Sequence, residues 1–233
     1  YNIDINKQFA IDGVEFDAVV HLAALVNVGE SQERPISYYI TNLNGTMNVL
    51  NKVKTNNFIF ASTGAAQDCT SAYGVSKRAA EDVVRSYTKM ANTDYTIFRF
   101  YNVIGATVVG PTNHDGLMFN LMKARETGEF TIHGKDYETP DGTCIRDYVH
   151  VEEICHAIKL AIESPANKTE CLGHGVGYTV REISSIFQDV NQCEFEVKYG
   201  PRRDGDTPSS VLEDLSPYMK NLYSVEDLLR VSV

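Results

Sequence analysis

Asp17-Ala18-Val19-Val20-His21-Leu22-Ala23-Ala24 is an apolar run without alternation between apolar and polar positions. A strand with one face in water alternates every second residue, so this run predicts a parallel strand covered on both faces. Two similar runs follow, Phe58-Ile59-Phe60-Ala61 and Tyr95-Thr96-Ile97-Phe98-Arg99-Phe100-Tyr101-Asn102-Val103. Between them the spacing is helical: Ile36, Tyr39, Ile40, Leu43, Met47 and Leu50 recur along 35–54, and a second helix is expected over 73–90. Strands separated by helices imply crossover connections, which predict an α/β fold with a parallel sheet. The opening Tyr1-Asn2-Ile3-Asp4-Ile5 reads as a further short strand.

After Gly105 the chain becomes rich in Gly, Pro, Asn and Asp. The expected organisation is a first domain over 1–105 and a second over 106–233, with 151–163 packing back on the first. The second domain carries helical patterns over 117–125, 152–163 and 179–189. Gly173-His174-Gly175-Val176-Gly177 looks like a phosphate loop, but it does not follow the opening strand of a βαβ unit and is read as a turn.

With 233 residues and 43% hydrophobic content, the chain can bury a substantial core. The net charge of -10 and the lack of a Lys/Arg-rich run argue against a nucleic-acid or anionic-membrane surface. No apolar run approaches the ~18 residues of a membrane span, and no signal-peptide pattern opens the chain. A cytoplasmic setting is the expectation. The five cysteines have no Cys-x-x-Cys spacing and are read as packing residues in a reduced compartment, with no metal site.

Chemistry concentrates at Tyr73-Gly74-Val75-Ser76-Lys77. Four residues apart on a helix, the phenol and the ammonium leave one face about a turn apart. A free phenol titrates near pH ~10, and bringing it to neutrality takes ~4 kcal/mol of differential stabilisation, within reach of a nearby cation in a partly desolvated site. Upstream, Ser62 and Thr63 end a strand, where a hydroxyl suits either a substrate hydrogen bond or the capping of a turn. Ala23 and Ala24 suit either close approach of a flat cofactor or a tight turn. Asn42, Asn44 and Gly45 are weak helix formers whose place in a helical pattern suits close packing under a cofactor, or is tolerated at modest cost. Arg202-Arg203-Asp204-Gly205-Asp206 suits a diphosphate or a surface ion pair.

These residues together resemble a family, the extended short-chain dehydrogenase/reductases, and within it the UDP-glucose 4-epimerases. The resemblance rests on Asp17 to Ala24, on Val28-Gly29-Glu30-Ser31 and Asn42-Leu43-Asn44-Gly45-Thr46, on the tyrosine-lysine pair and on Arg99-Phe100-Tyr101-Asn102. It continues through Asp141-Gly142-Thr143-Cys144-Ile145-Arg146-Asp147-Tyr148-Val149-His150-Val151 to the paired arginines, nearly the whole chain. It implies a Rossmann-like doubly wound parallel sheet with a smaller C-terminal substrate-binding lobe, and NAD-dependent epimerisation at C4 of a UDP-hexose through a 4-keto sugar. Tyr73 would be the acid/base, Lys77 would hold the nicotinamide ribose and lower the phenol's pKa, and Thr63 would bond the O4 region. Asp4 and Ile5 would flank the adenine, and Leu22, Ala23, Ala24, Asn42, Ser62 and Tyr101 would line the cofactor. Asn102, Arg146, Arg203 and Asp206 would hold the UDP-sugar. Ser210, small and facing the C2 substituent, would admit N-acetyl sugars. A homodimer through the helices at 35–54 and 73–90 is implied as well.

Departures from the family pattern accompany the matches. The glycine-rich dinucleotide fingerprint expected before Asp4 is absent from this sequence, the loop between Thr63 and Tyr73 is short, and the stretch between Met219 and Tyr223 is abridged. The expectation is that residues are missing here; a polypeptide that truly began at Tyr1 would neither hold NAD nor turn over. Nucleotide-sugar dehydratases need an Asp-Glu pair beside the hydroxyl residue, where this chain has Gly64-Ala65, which places dehydratases and decarboxylases behind epimerases. A non-catalytic NAD-binding protein is the remaining alternative, disfavoured by joint retention of Thr63, Tyr73 and Lys77.

Overall fold

The computed structural model describes residues 3–7, 9, 11, 14–105 and 116–231. The chain forms two compact units, one of residues 1–100 with 157–171, the other of residues 101–156 with 172–233.

In the first unit the elements are β1 (Glu15–Phe16), β2 (Val19–His21), α1 (Val28–Glu33), α2 (Pro35–Tyr38), a π-helical turn (Tyr39–Asn44), α3 (Gly45–Lys52), β3 (Lys54–Thr55) and β4 (Asn57–Thr63). α4 (Ala65–Asp68), α5 (Ala72–Ala91) and β5 (Asp94–Phe100) follow. β2, β4 and β5 pair in parallel, His21 opposite Phe60 and Thr63 opposite Phe100, and a later strand extends the sheet beyond β5. Asn57, Phe58, Ile59 and Phe60 are all buried, as a run without alternation requires. One face packs Phe58, Phe60 and Ile97 against Val49 and Leu50 of α3 and Ala80 and Val84 of α5. α5 starts where Ser71 Oγ accepts from the Gly74 amide, satisfying an orphan donor of the first turn, and ends at Asn92 in the left-handed region.

The second unit holds β6 (Asn102–Ile104), α6 (Leu117–Thr127), β7 (Glu129–His133) and β8 (Ile145–His150). α7 (Val151–Glu163) and β9 (Lys168–Leu172) carry the chain back through the first unit, β9 pairing β5. β10 (Gly177–Thr179), α8 (Val180–Asn191), β11 (Glu196–Gly200), β12 (Ser209–Ser210) and α9 (Val225–Leu229) complete the second unit. β8 is its central strand, flanked by β6 and β12 in parallel and by β10 antiparallel, while β7 and β11 form a separate parallel pair. Leu121, Phe130, Ile132, Tyr148, Ile183, Phe187 and Leu228 make its core.

Three expectations change. The helix over 35–54 is three pieces, because a π-helical turn at Tyr39–Asn44 separates α2 from α3. The strand over 95–103 is two strands in different sheets, since β5 ends its pairing with β4 at Phe100 and β6 begins pairing with β8 at Asn102. Residues 3–7 form a turn: the Asp4 carboxylate accepts from the Asn6 amide at 3.0 Å and the Asp4 carbonyl from the Lys7 amide at 3.0 Å, closing the backbone on itself. Tyr1 and Asn2 lie outside the described residues. The run 173–177 is the turn expected of it, and it wraps the fully buried carboxylate of Asp147, which accepts from the His174 and Gly175 amides at 2.8 Å and the Leu212 amide at 3.2 Å. A Cβ on Gly173 would stand 2.6 Å from that carboxylate. The amides that suggested an anion site hold an internal anion.

Candidate active site

At the C-terminal edge of the first unit's sheet, β4 delivers Thr63 and the first two turns of α5 deliver Tyr73 and Lys77. Gly74 allows this placement, because a Cβ there would meet the Ala65 carbonyl oxygen at 2.4 Å, so α4 and α5 reach their separation only with glycine between them. The Tyr73 phenol is nearly fully buried, and the Thr63 hydroxyl is near enough to ease its ionisation. Tyr38, itself fully buried, meets the Tyr73 ring edge-on at 6.3 Å between centroids. The Tyr38 hydroxyl donates to Glu30 Oε2 at 3.0 Å, and burial together with that bond pushes its pKa up to about 12.

Burial pushes the Tyr73 phenol above its ordinary value, against a smaller opposing effect of Thr63. The expected lowering by Lys77 is not the balance in the ligand-free protein, because the ammonium is aimed elsewhere: Nζ lies over the Phe60 ring, 4.2 Å from its centroid. Lys77 is 3% exposed. Burial lowers its pKa to about 7, with Glu81 working in the opposite direction. Its ammonium has no hydrogen-bond acceptor among the described residues. Three strong donors without an acceptor, at a sheet edge, fit the vicinal hydroxyls of a ribose.

The floor beside Lys77 is tied down by Asn42. Its Oδ1 accepts from the Leu25 amide at 2.8 Å, and its Nδ2 donates to the Leu25 carbonyl at 3.0 Å and to Ser76 Oγ at 3.0 Å. Asn42 sits in the π-helical turn, a distortion common at functional sites because it re-aims one side chain. Leu22 and Ala23, just past β2, are exposed, Ala24 half so. Gly45 and Asn48 of α3 receive the opening segment: Ile5 Cδ1 would be 2.7 Å from a Cβ on Gly45, and Asn48 Nδ2 donates to the Ile5 carbonyl at 2.9 Å. Asp4 is exposed beside Lys7 at 3.5 Å. Ser62 is turned inward, its hydroxyl donating to Glu81 Oε1 at 2.6 Å. That hydroxyl is committed to the protein, so Ser62 supports the edge from within.

In the second unit, Arg146, Arg203 and Asp206 come together. Arg146 stands in β8 between Tyr178 of β10 and Ser210 of β12. Its guanidinium lies 3.5 Å from Asp206 Oδ1 and donates to the Ile145 and Thr207 carbonyls at 2.8 Å, while Arg203 is 3.7 Å from Asp206 Oδ2. Arg202 is spent on structure: it pairs with Asp136 at 2.8 Å and lies 4.3 Å over the Tyr137 ring. Asn102 donates to the Asp147 carbonyl at 3.0 Å, and Tyr101, between β5 and β6, donates its amide to the Leu172 carbonyl at 3.0 Å. Sequence reasoning missed Glu81, His21 and Asp147. Glu81 was the most accessible of these, being one helical turn beyond Lys77 on the same face.

A parallel sheet whose C-terminal edge joins a hydroxyl, a phenol and a buried ammonium defines a Rossmann-like domain of the dehydrogenase type. The chain belongs to the NAD dependent epimerase/dehydratase family, whose model matches residues 2–172. It is 32% identical over 223 residues to the UDP-glucose 4-epimerase of Rhizobium leguminosarum bv. trifolii, covering 83% of this chain and 68% of that protein. To the Lactobacillus helveticus UDP-glucose 4-epimerase it is 32% identical over 246 residues, covering 92% and 74%. The solved UDP-glucose 4-epimerase of Bifidobacterium longum, in complex with NAD+ and UDP, matches with a TM-score of 0.87 at 25% identity, over 98% of this chain and 80% of that one.

Proposed function

We propose that this protein is an NAD-dependent epimerase acting at C4 of UDP-hexoses, and that Thr63, Tyr73 and Lys77 carry the reaction. The observation that carries the assignment of residues is the buried Tyr73 phenol beside the Thr63 hydroxyl, one helical turn from an ammonium without an acceptor among the described residues. NAD, when bound, supplies the hydride acceptor and donor for C4. Lys77 would hold the ribose hydroxyls, with Leu22, Ala23 and Ala24 along the cofactor, Asn42 fixing their loop, and Ile5 toward the adenine. Ribose hydroxyl oxygens that accept from Lys77 favour its charged form, and that ammonium then favours the phenolate of Tyr73. Tyr73 takes the proton of the sugar O4 hydroxyl as C4 is oxidised and returns it after the 4-keto sugar presents its other face, while Thr63 keeps O4 in line with the phenol. Arg203 and Arg146 match the diphosphate in charge and geometry, Asp206 sets their orientation, and Asn102 and Tyr101 serve the sugar and nicotinamide. Ser210 leaves room for an N-acetyl group at C2. The enzyme acts as a cytoplasmic homodimer in galactose metabolism.

Full-length protein incubated with UDP-galactose should yield UDP-glucose without added reductant, and should also convert UDP-N-acetylgalactosamine. Tyr73→Phe should lose about 10²–10⁴-fold in turnover, the usual worth of a general acid/base, while calorimetric UDP-sugar affinity is kept. Near-normal turnover by Tyr73→Phe would overturn the assignment, and release of water or carbon dioxide would place the activity in a related class.

A further inference from the structure

Glu81 is a fully buried carboxylate on α5, eight residues after Tyr73 and four after Lys77. Every side of it is engaged. Oε1 accepts from Ser62 Oγ at 2.6 Å and Arg99 Nε at 2.8 Å; Oε2 accepts from Arg99 Nη2 at 2.6 Å and Arg85 Nη2 at 2.8 Å. Ser62 and Arg99 are direct partners across β4 and β5, in the row beside Thr63. The carboxylate therefore joins three elements at one point: the helix bearing the phenol and ammonium, the strand presenting the hydroxyl, and the neighbouring strand.

An ordinary structural ion pair would not need this position. Two features set Glu81 apart. It lies one turn from an ammonium that has no acceptor of its own, and it is the carboxylate that acts on that ammonium. Among the described residues, the other groups around Lys77 supply no negative charge. From β2 comes His21, held neutral by burial and in hydrogen-bonding contact with Thr46 at 3.0 Å; from β4, the Phe60 ring; from α5 itself, the protonated phenol of Tyr73. Arg85 and Arg99 approach through Glu81 and oppose it.

We propose that Glu81 is a positioning residue for the epimerase chemistry: it clamps Tyr73 and Lys77 to the sheet row that presents Thr63 and supplies the negative charge one turn from Lys77. The proposal rests on the roles assigned above to Tyr73 and Lys77. Both oxygens being occupied, the carboxylate touches neither sugar nor cofactor and acts only through its neighbours.

The test is the titration midpoint of Lys77, followed by NMR of lysine labelled at Cε in the full chain without added nucleotide. Glu81→Gln should move that midpoint down by about one pH unit, the size of effect an opposite charge at close range exerts. Glu81→Asp, which keeps the charge, should restore most of it. With UDP-galactose and the holoenzyme, the falling alkaline limb of the kcat profile should move down by the same amount in Glu81→Gln, with KM little changed. If Glu81→Gln does not fold, Arg85→Ala, whose side chain is partly exposed, decides: freed of one cation, Glu81 should then raise the midpoint. A midpoint unmoved by Glu81→Gln, or by Arg85→Ala where Glu81→Gln does not fold, would overturn the proposal. Failure of the catalytic reading is a separate outcome, since it would show as turnover by Tyr73→Phe with the Lys77 midpoint still following residue 81.

Discussion

A lysine that reaches a pKa of about 7 by burial is a cost to the ligand-free fold, and its sign can be measured. Folded Lys77 releases its proton near pH 7, whereas an unfolded lysine does so near 10.5. Between those values the unfolded chain holds the extra proton, so stability should rise as pH is raised through that window. Lys77→Met should flatten this slope and stabilise the ligand-free protein at pH 7 by on the order of a few kcal/mol, because an ammonium without an acceptor is replaced by apolar packing. Urea unfolding between pH 7 and 10 checks both, and a slope equal in the two proteins would refute the burial argument. Glu81 has the opposite sense. Burial would raise its pKa, but hydrogen bonds from Arg99 and Ser62 prevail and hold it below the usual carboxylate range, so its contribution is present above that range and lost as pH falls through it. Of these groups, Thr63, Tyr73 and Lys77 were legible from spacing and resemblance. Glu81 was not, since a glutamate on a helix ordinarily reads as a solvated charge, and only the packing of β4 and β5 shows that this one faces inward.

At the level of elements, α5 and β4 were readable because long runs with a clear period leave little choice of structure. Shorter features escaped. A π-helical turn of six residues differs too little from an α-helix in its spacing for the apolar pattern at Ile36 to Leu50 to show it. The change of sheet at Tyr101 is silent for another reason: both strands bury the same kinds of residue, so the pattern continues while the partners change. Gly74 separates two competing effects. Alanine in a helix gains about 0.5–1 kcal/mol over glycine, yet here its Cβ would meet the Ala65 carbonyl oxygen at 2.4 Å, and overpacking costs about 1–3 kcal/mol. Because the obstacle is backbone, the clash should win. Gly74→Ala is expected to lower the thermal midpoint and to reduce turnover by moving Tyr73 away from Thr63; a raised midpoint would show that α4 yields.

Across the whole molecule, the helices of the first unit leave apolar side chains in water. Ile36 is 67% exposed, Ile40 46% and Met90 86%. In the homodimer proposed above, a second copy would cover these surfaces. Sedimentation equilibrium should give twice the chain mass, and Ile36→Asp combined with Met90→Asp should give the monomer with an unchanged circular dichroism spectrum; a wild-type monomer would sink the homodimer. The path of the chain carries a last consequence. The first sheet draws its final strand, β9, from residues that are made only after 101–156 of the second unit, and Asn57 and Arg85 meet Ala161 and Thr169 there at 2.9 and 3.0 Å. On the ribosome, β2, β4 and β5 therefore emerge with the β5 edge bare and wait for translation to pass Leu172 before β9 can cover it. During that interval the nascent chain presents an open strand edge, a template for wrong pairing until β9 arrives.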